Sequence, residues 1–515
     1  MRPARPAGAG AGAAALRLCA ALAALACAPG ALAAPDAPPH RFDVRRYGAR
    51  GDGVSDDSGA LRDALEAARR WGGGEVFFPA GTYLIAPART ARAGPRDGFG
   101  LASNTWLRGE GPRSVLRVKA GVGSYRALFS NYPAPASEVR NVGFADLRID
   151  QNCGASGGTV REGGDGRNLF AVYLGWGGKG ITVERVRFED VCGVNTVVLN
   201  ATAASGLVVR DSYFRFAKGP TDSPRGFYDN SAVYFHGRDA LVAGNVFEST
   251  AADGARGAIE LHGSRARAER NVTRWYHACV RLAGTSGPGE APPAAGNAFV
   301  VSRNECWNAK DAINVWSITG QGVRGVTIAD NRITLAENDH LAATGHLGYF
   351  FGISFVWDAV SGGLDGDVRD VVIERNEIRA QPADGTWGSH ADTSGGISLR
   401  CGGDIRDVQV RGNLIQDVPT KGIDLQAMGR GRKASRVRIE DNRLVNPGND
   451  PAAGRDRAGI RLGGALEDVE VSRNTITGTL RPFRGLYAIR QEQPGVRVLL
   501  RENTWTSADP LRSYR

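Results

Sequence analysis

Residues 228–263 read "YDNSAVYFHGRDALVAGNVFESTAADGARGAIELHG". One short phrase occurs twice in this stretch, as "SAVYFHG" (231–237) and, 26 positions later, as "GAIELHG" (257–263). Each copy places a small residue, then apolar and polar residues in alternation, then a histidine and a glycine. Alternation with period two is the pattern of a strand that buries one face. The phrase recurs as "ACVRLAG", "DAINVWS", "FGISFVW", "GGISLRC", "KGIDLQA" and "AGIRLGG", with an earlier relative, "FAVYLGW", beginning at Phe170. Between the copies lies a second phrase that ends in asparagine: Asn245, Asn271, Asn304, Asn331, Asn376, Asn413, Asn442, Asn474 and Asn503. The intervals are 26, 33, 27, 45, 37, 29, 32 and 29 residues.

Two or three short strands per unit of about thirty residues, with no helix between them, describe one coil of a parallel β-helix. Each strand then pairs with its counterpart one coil away, ~4.8 Å distant. In "AIELH", Ile259 and Leu261 point into the bore, and Glu260 and His262 face outward. The asparagines fall at equivalent bends and are expected to stack as an amide ladder. The fold class is therefore all-β: a parallel β-helix solenoid running over 86–515. Ahead of it, "DDSGALRDALEAARRW" sets Leu61, Ala64, Leu65 and Ala68 on one helical face and supplies a capping helix. Ser55, Asp56 or Asp57 serves as its N-cap, and Gly72–Gly74 end it.

Composition agrees with this reading and narrows the function. Seventy glycines in 515 residues suit many short strands joined by tight turns. Arg2 and Arg5 precede an Ala/Leu-rich run that ends in the small-x-small pattern Ala31–Ala33. Residues 1–33 therefore read as an export signal, and the protein is expected in the periplasm or outside the cell. No later stretch is apolar enough to cross a bilayer, so no membrane partner is expected. Without residues 1–33 the formal charge falls from +10 to +7. The excess arginines are scattered, which argues against a nucleic-acid partner and suits an acidic polymer. Cys153, Cys192, Cys279, Cys306 and Cys401 remain, an odd number with no metal-binding spacing; they read mainly as core filler, with Cys153–Cys192 a conceivable bridge.

The stretch "FDVRRYGARGDGVSDDSGALRDALEAA…GGGEVFFPAGTYLI", within a capping module at 41–85, resembles the N-terminal module of the pectate-lyase-like superfamily. More narrowly it is similar to the rhamnogalacturonase/epimerase-like branch, related to glycosyl hydrolase family 28. That resemblance implies a right-handed β-helix and activity on polysaccharides. It leaves the reaction open, because one fold hosts hydrolases, lyases, epimerases and non-catalytic adhesins. Asp52, Asp56 and Asp57 belong to this module and read as turn and cap chemistry.

Aligning the repeated phrase on its inward pair gives two outward columns. The first runs Tyr173, Tyr234, Glu260, Arg281, Asn314, Ser354, Ser398, Asp424, Arg461. The second runs Gly175, His236, His262, Ala283, Trp316, Val356, Arg400, Gln426, Gly463. Tyr234, Glu260 and Arg281 are thus expected as vertical neighbours, with His236 and His262 stacked beside them. Of seven histidines, His236, His262 and His277 lie within forty-two residues. Clustered titratable groups beside a groove mark a candidate site. Insertions at 216–230, 335–350 and 379–394 leave one corner of different coils and are expected to wall the groove. Tyr228, Trp316, Tyr349, Trp357 and Trp387 offer flat faces to sugar rings, and Asn314 and Arg400 offer polar contacts to substrate.

Hydrolysis needs two carboxyls about 5–5.5 Å or about 6.5–9.5 Å apart. Glu260 is one; Asp311, two coils on, lies near the upper limit. The paired aspartates and "GHG"/"RIK" signatures of family 28 hydrolases are missing. β-Elimination of an acidic polysaccharide needs a cation on the uronate carboxylate, a base for the adjoining proton and an acid for the leaving oxygen. Arg281 or Lys310 fills the first role, His262 or His236 the second and Tyr234 the third. An epimerase would use nearly the same set. The reading leans to a lyase, with a hydrolase, a uronate epimerase or a carbohydrate-binding adhesin as alternatives. No cofactor is called for, although calcium held by Glu260 and a loop carbonyl stays compatible with the sequence.

Overall fold

The structure is a computed structural model that describes residues 40–507 apart from 88–96, 132–137, 162–166, 223–227, 285–295, 317–321, 337–349, 357–365, 382–393, 450–456, 479–486 and 494–497. The export signal, most of the expected loop walls, and Tyr349, Trp357 and Trp387 lie outside the described residues.

Eleven strands carry the repeated phrase or its relatives: β1 (Phe170–Leu174), β2 (Asn195–Arg210), β3 (Ser231–Ala243), β4 (Ala255–Glu269), β5 (Tyr276–Ala283), β6 (Asp311–Trp316), β7 (Phe350–Val356), β8 (Ser394–Cys401), β9 (Lys421–Ala427), β10 (Ala458–Gly463) and β11 (Tyr487–Gln491). Each pairs in parallel with the next, one coil on. The inward pairs fill the bore: Val233 and Phe235, Ile259 and Leu261, Ile313 and Val315, Ile423 and Leu425 have no exposed surface. Burying each such side chain contributes about 1.5–3 kcal/mol. Repeated every coil, that burial fixes which residues face out, because slipping a strand by one position would invert its faces.

The register matches the outward columns from Tyr234 to Arg461, with one correction at the start. Tyr173 lies opposite Val198, and Val198 opposite Tyr234. The phrase "TVVLN" in β2 therefore forms a rung that the sequence reading passed over, because its outward residue in the first column, Val198, is apolar.

The asparagine ladder is continuous. Each side-chain Nδ2 donates to the next Oδ1 from Asn245 to Asn503, at 2.9–3.0 Å. The residue before each asparagine is left-handed even where it is not glycine, as at Arg270 (φ 53), Arg303 (φ 56), Arg375 (φ 52) and Arg473 (φ 52). That conformation is uncommon for residues with a side chain, and the asparagine bonds hold it at every coil. Arginines near these bends pair with acids of the previous coil: Arg375 with Asp330 and Arg473 with Asp441 at 2.7–2.8 Å, and at a neighbouring turn Arg436 with Asp407 at 2.6 Å.

The capping helix α1 (Ser58–Trp71) buries Leu61, Ala64, Leu65 and Ala68, and Gly72 ends it with φ 90. Its N-cap is Asp57, but that carboxylate does not cap the helix; it accepts from Arg50 N at 2.7 Å and Gly51 N at 3.2 Å. Asp56 accepts from Ser58 N at 3.0 Å, and Asp52 from Ser55 N at 2.7 Å. The acidic trio is turn chemistry. The cysteines do more than fill the core: disulfides join Cys153 to Cys192 and Cys279 to Cys306, leaving Cys401 buried and unpaired. Among the described residues no helix is long and apolar enough to cross a membrane.

Candidate active site

The repeated "HG" is a packing requirement before it is a chemical one. Gly237 and Gly263 have φ of 141 and 103, and a Cβ on Gly263 would stand 2.0 Å from Gly237 O. Only glycine permits the coils to approach so closely there. The preceding histidines then stack, with ring centroids 4.1 Å apart. Tyr234 joins them at 4.9 Å from His236 and 5.2 Å from His262. Trp316, two rungs past His262, meets that ring edge-on at 5.7 Å and lies under the Arg281 guanidinium at 5.3 Å.

Glu260 organises the group from beneath. It is 4 % exposed and accepts from Ser231 Oγ at 2.7 Å, His262 Nε2 at 2.9 Å and Arg281 Nη1 at 3.3 Å. Burial alone would raise its pKa. The Arg281 charge and the bonds from His262 and Ser231 outweigh that and hold the carboxyl well below its usual range. Glu260 is thus a fixed anion with its lone pairs engaged, suited to orienting His262 and Arg281 and unsuited to donating a proton. This weakens the hydrolytic reading further.

Two groups remain poised. His236 is pushed down to about 3, first by burial and then by the neighbouring His262, so it is neutral at ordinary pH. Its Nε2 has no hydrogen-bond partner among the described residues. Burial, with the Glu260 charge, raises the Tyr234 phenol and keeps it protonated. Tyr234 and Arg281 are partly exposed, so the cluster presents a phenol and a guanidinium at its surface, with the neutral imidazole of His236 buried directly behind them.

The sequence reading missed Asp229, Ser231 and Arg256. Asp229, its side chain 48 % exposed, lies 3.1 Å from Arg256 and 3.5 Å from Arg281. Asp229 precedes the repeated phrase, and Ser231 and Arg256 stand at the starts of β3 and β4, outside the two outward columns. The available signal was positional: Asn230, next to Asp229, accepts from Arg256 N at 2.9 Å one coil on.

Other expected site residues are placed differently. Tyr228 is 3 % exposed; its hydroxyl donates to Cys192 O at 2.6 Å and accepts from Gly219 N at 3.1 Å, so it is a packing residue and not a sugar platform. Lys310 has no exposed surface, which removes it as a neutraliser of a polymer carboxylate. His277 lies at the start of β5, beside Arg256, outside the histidine stack. Asp311 is buried, accepting from Ser354 Oγ at 2.6 Å and Asn314 Nδ2 at 2.9 Å. Burial pushes it up to about 6 against those bonds and the Arg281 charge. Asn314 also donates to Ser354 at 2.9 Å and so belongs to this network. Arg400 shares the face but stands three rungs beyond Arg281. Among the described residues no three His, Cys, Asp or Glu side chains converge as metal ligands.

Residues 41–145 match the family described as rhamnogalacturonase A/epimerase, pectate lyase-like. Mannuronan C5-epimerase AlgE6 of Azotobacter vinelandii is 32% identical over 173 residues, 33% of this chain and 19% of that protein. Alginate lyase 7 of the same organism is 31% identical over 159 residues, 29% of this chain and 17% of that protein. The match thus spans less than a fifth of either relative. Among solved structures, a tailspike protein of E. coli bacteriophage HK620 in complex with a pentasaccharide superposes with a TM-score of 0.60 at 14% identity, covering 90% of this chain and 78% of that one. The matched N-terminal module thus resembles that family, and the solenoid that continues it coil upon coil has the fold of a right-handed parallel β-helix.

Proposed function

We propose that the protein is an exported enzyme that binds an acidic polysaccharide along the outward face of β3–β8 and removes the proton next to a uronate carboxylate. The observation that carries this reading is the neutral, unpartnered Nε2 of His236 beside a protonated Tyr234 and a guanidinium held by Glu260. Arg281 receives the uronate carboxylate, which takes the place of the half-exposed Asp229. Charge drawn into that carboxylate acidifies the neighbouring C–H. His236 accepts the proton through Nε2, and the incoming anion supports the imidazolium that burial otherwise disfavours. Tyr234 then gives its proton, either to the departing glycosidic oxygen in β-elimination or to the opposite face of the carbanion in epimerisation. Both outcomes share the first step, and the relatives named above include an epimerase and a lyase.

The test is incubation with a panel of polyuronates in heavy water. Deuterium at the carbon next to the carboxylate marks an epimerase, and new ultraviolet-absorbing double bonds, which leave no hydrogen on that carbon, mark a lyase; either supports the reading. New reducing ends without either signal would establish hydrolysis, and binding without any chemical change would establish an adhesin.

A further inference from the structure

Beyond Arg281 the same face carries a second polar group, on β8, β9 and β10. Ser398 and Arg400 of β8 lie opposite Asp424 and Gln426 of β9, and Asp424 lies opposite Arg461 of β10. The carboxylates here are already committed. Asp424 accepts from Arg461 Nη1 at 3.2 and 3.3 Å, and Arg461 Nε reaches Glu492 at 2.9 Å. Arg400 Nε stands 3.9 Å from Asp424, beyond hydrogen-bond distance. Among the described residues, three buried polar atoms here are left with no hydrogen-bond partner: Arg400 Nε, Ser398 Oγ and Gln426 Oε1. Ser398 is fully buried. Such atoms are uncommon in folded proteins, and adjacent ones on one surface call for a ligand that completes them.

Their chemistry specifies that ligand. A guanidinium edge takes a carboxylate, and an amide oxygen accepts from a hydroxyl. One uronic acid residue offers a carboxylate and hydroxyls on a single ring. The rungs of Arg281 and Arg400 are three strand spacings apart, ~14 Å. Between them on the same columns lies Trp316, whose Nε1 is also without a partner among the described residues.

We propose that the partly exposed Arg400 and Gln426 form a second uronate-binding subsite, with Ser398 buried behind them, which anchors the same polysaccharide chain three rungs from the reaction centre. The inference rests on the function proposed above, and its test is a binding measurement that can succeed or fail independently of turnover. Binding of a long polyuronate, of a uronate disaccharide too short to span three rungs, and of a neutral polysaccharide is compared in the wild type, Arg400→Gln and Gln426→Ala. Unfolding midpoints confirm that each variant is folded. Both variants should weaken polyuronate binding, Arg400→Gln by about tenfold or more, and leave disaccharide binding at Arg281 unchanged. Where turnover is measurable, Arg400→Gln raises KM for the polymer at constant kcat. Unchanged polymer affinity, or equal losses for polymer and disaccharide, would overturn the subsite. Loss of turnover in the wild type with the length-dependent loss of binding intact would overturn the catalytic reading alone.

Discussion

Replacing Glu260 by Gln keeps the shape of the central side chain and removes its charge. The amide oxygen still accepts from one neighbour, but among the described residues Arg281 keeps only Asp229 as an ion-pair partner, with Asp311 acting through its charge alone, and His262 loses a charged acceptor. Removing one member of a buried ion pair costs about 3–5 kcal/mol. Arg281 is 17% exposed and retains Asp229 at 3.5 Å, so a loss nearer about 2–3 kcal/mol is expected at neutral pH. Because the folded pKa of Glu260 is depressed, its stabilising effect is fully present above the unfolded value near 4.5 and declines as pH falls below that. Urea unfolding of wild type and variant at pH 7 and pH 3.5 reads this directly. The gap in midpoint should be wide at pH 7 and narrower at pH 3.5. An equal gap at both pH values, or none at pH 7, would refute the claim that an ionised Glu260 holds the cluster.

Four further outcomes are expected. Tyr234→Phe and His236→Gln should each lower kcat by about 10²–10⁴-fold, the usual span for losing an acid or base, with little change in unfolding midpoint. Tyr228→Phe should cost about 1–2 kcal/mol through the lost bond to Cys192 O and leave KM unchanged, as unfolding and kinetics together would reveal. Asn331→Ala, in mid-ladder, removes bonds to Val301 O and Asn376 and leaves Asn304 unsatisfied; about 2–4 kcal/mol should be lost in urea unfolding. Asp311 keeps its proton in the folded state up to about pH 6, later than in the unfolded chain. Stability should therefore fall between about pH 4 and 6 by about 2–3 kcal/mol, and Asp311→Asn should flatten that slope.

Much of the fold was legible because its signals are periodic. Val233/Phe235 and Ile259/Leu261 announce the inward pair, and the recurring asparagine marks the bend. Together they set the register that brings Tyr234, Glu260 and Arg281 into one column. The rung at Val198 escaped because its outward residue is apolar where every other member of the first column is polar. Within the site, the stack of His236 on His262 followed from register alone. The division of roles did not, since it depends on burial and on bonds made from outside the columns. Ser231 and Arg281 turn Glu260 into a fixed anion, and a covering of neighbours makes His236 neutral. Tyr228 and Lys310 show the same limit from the other side: both are of suitable type and position, and both point into the protein. Asp229 was missed because a turn residue obeys no strand alternation.

The most direct test is a crystal structure of the His236→Gln variant with an intact uronate oligosaccharide. The account predicts a uronate carboxylate on Arg281, the adjoining C–H turned toward residue 236, and the chain continuing along the outward face toward Arg400. A sugar bound on another face of the solenoid, or with its carboxylate away from Arg281, would contradict it.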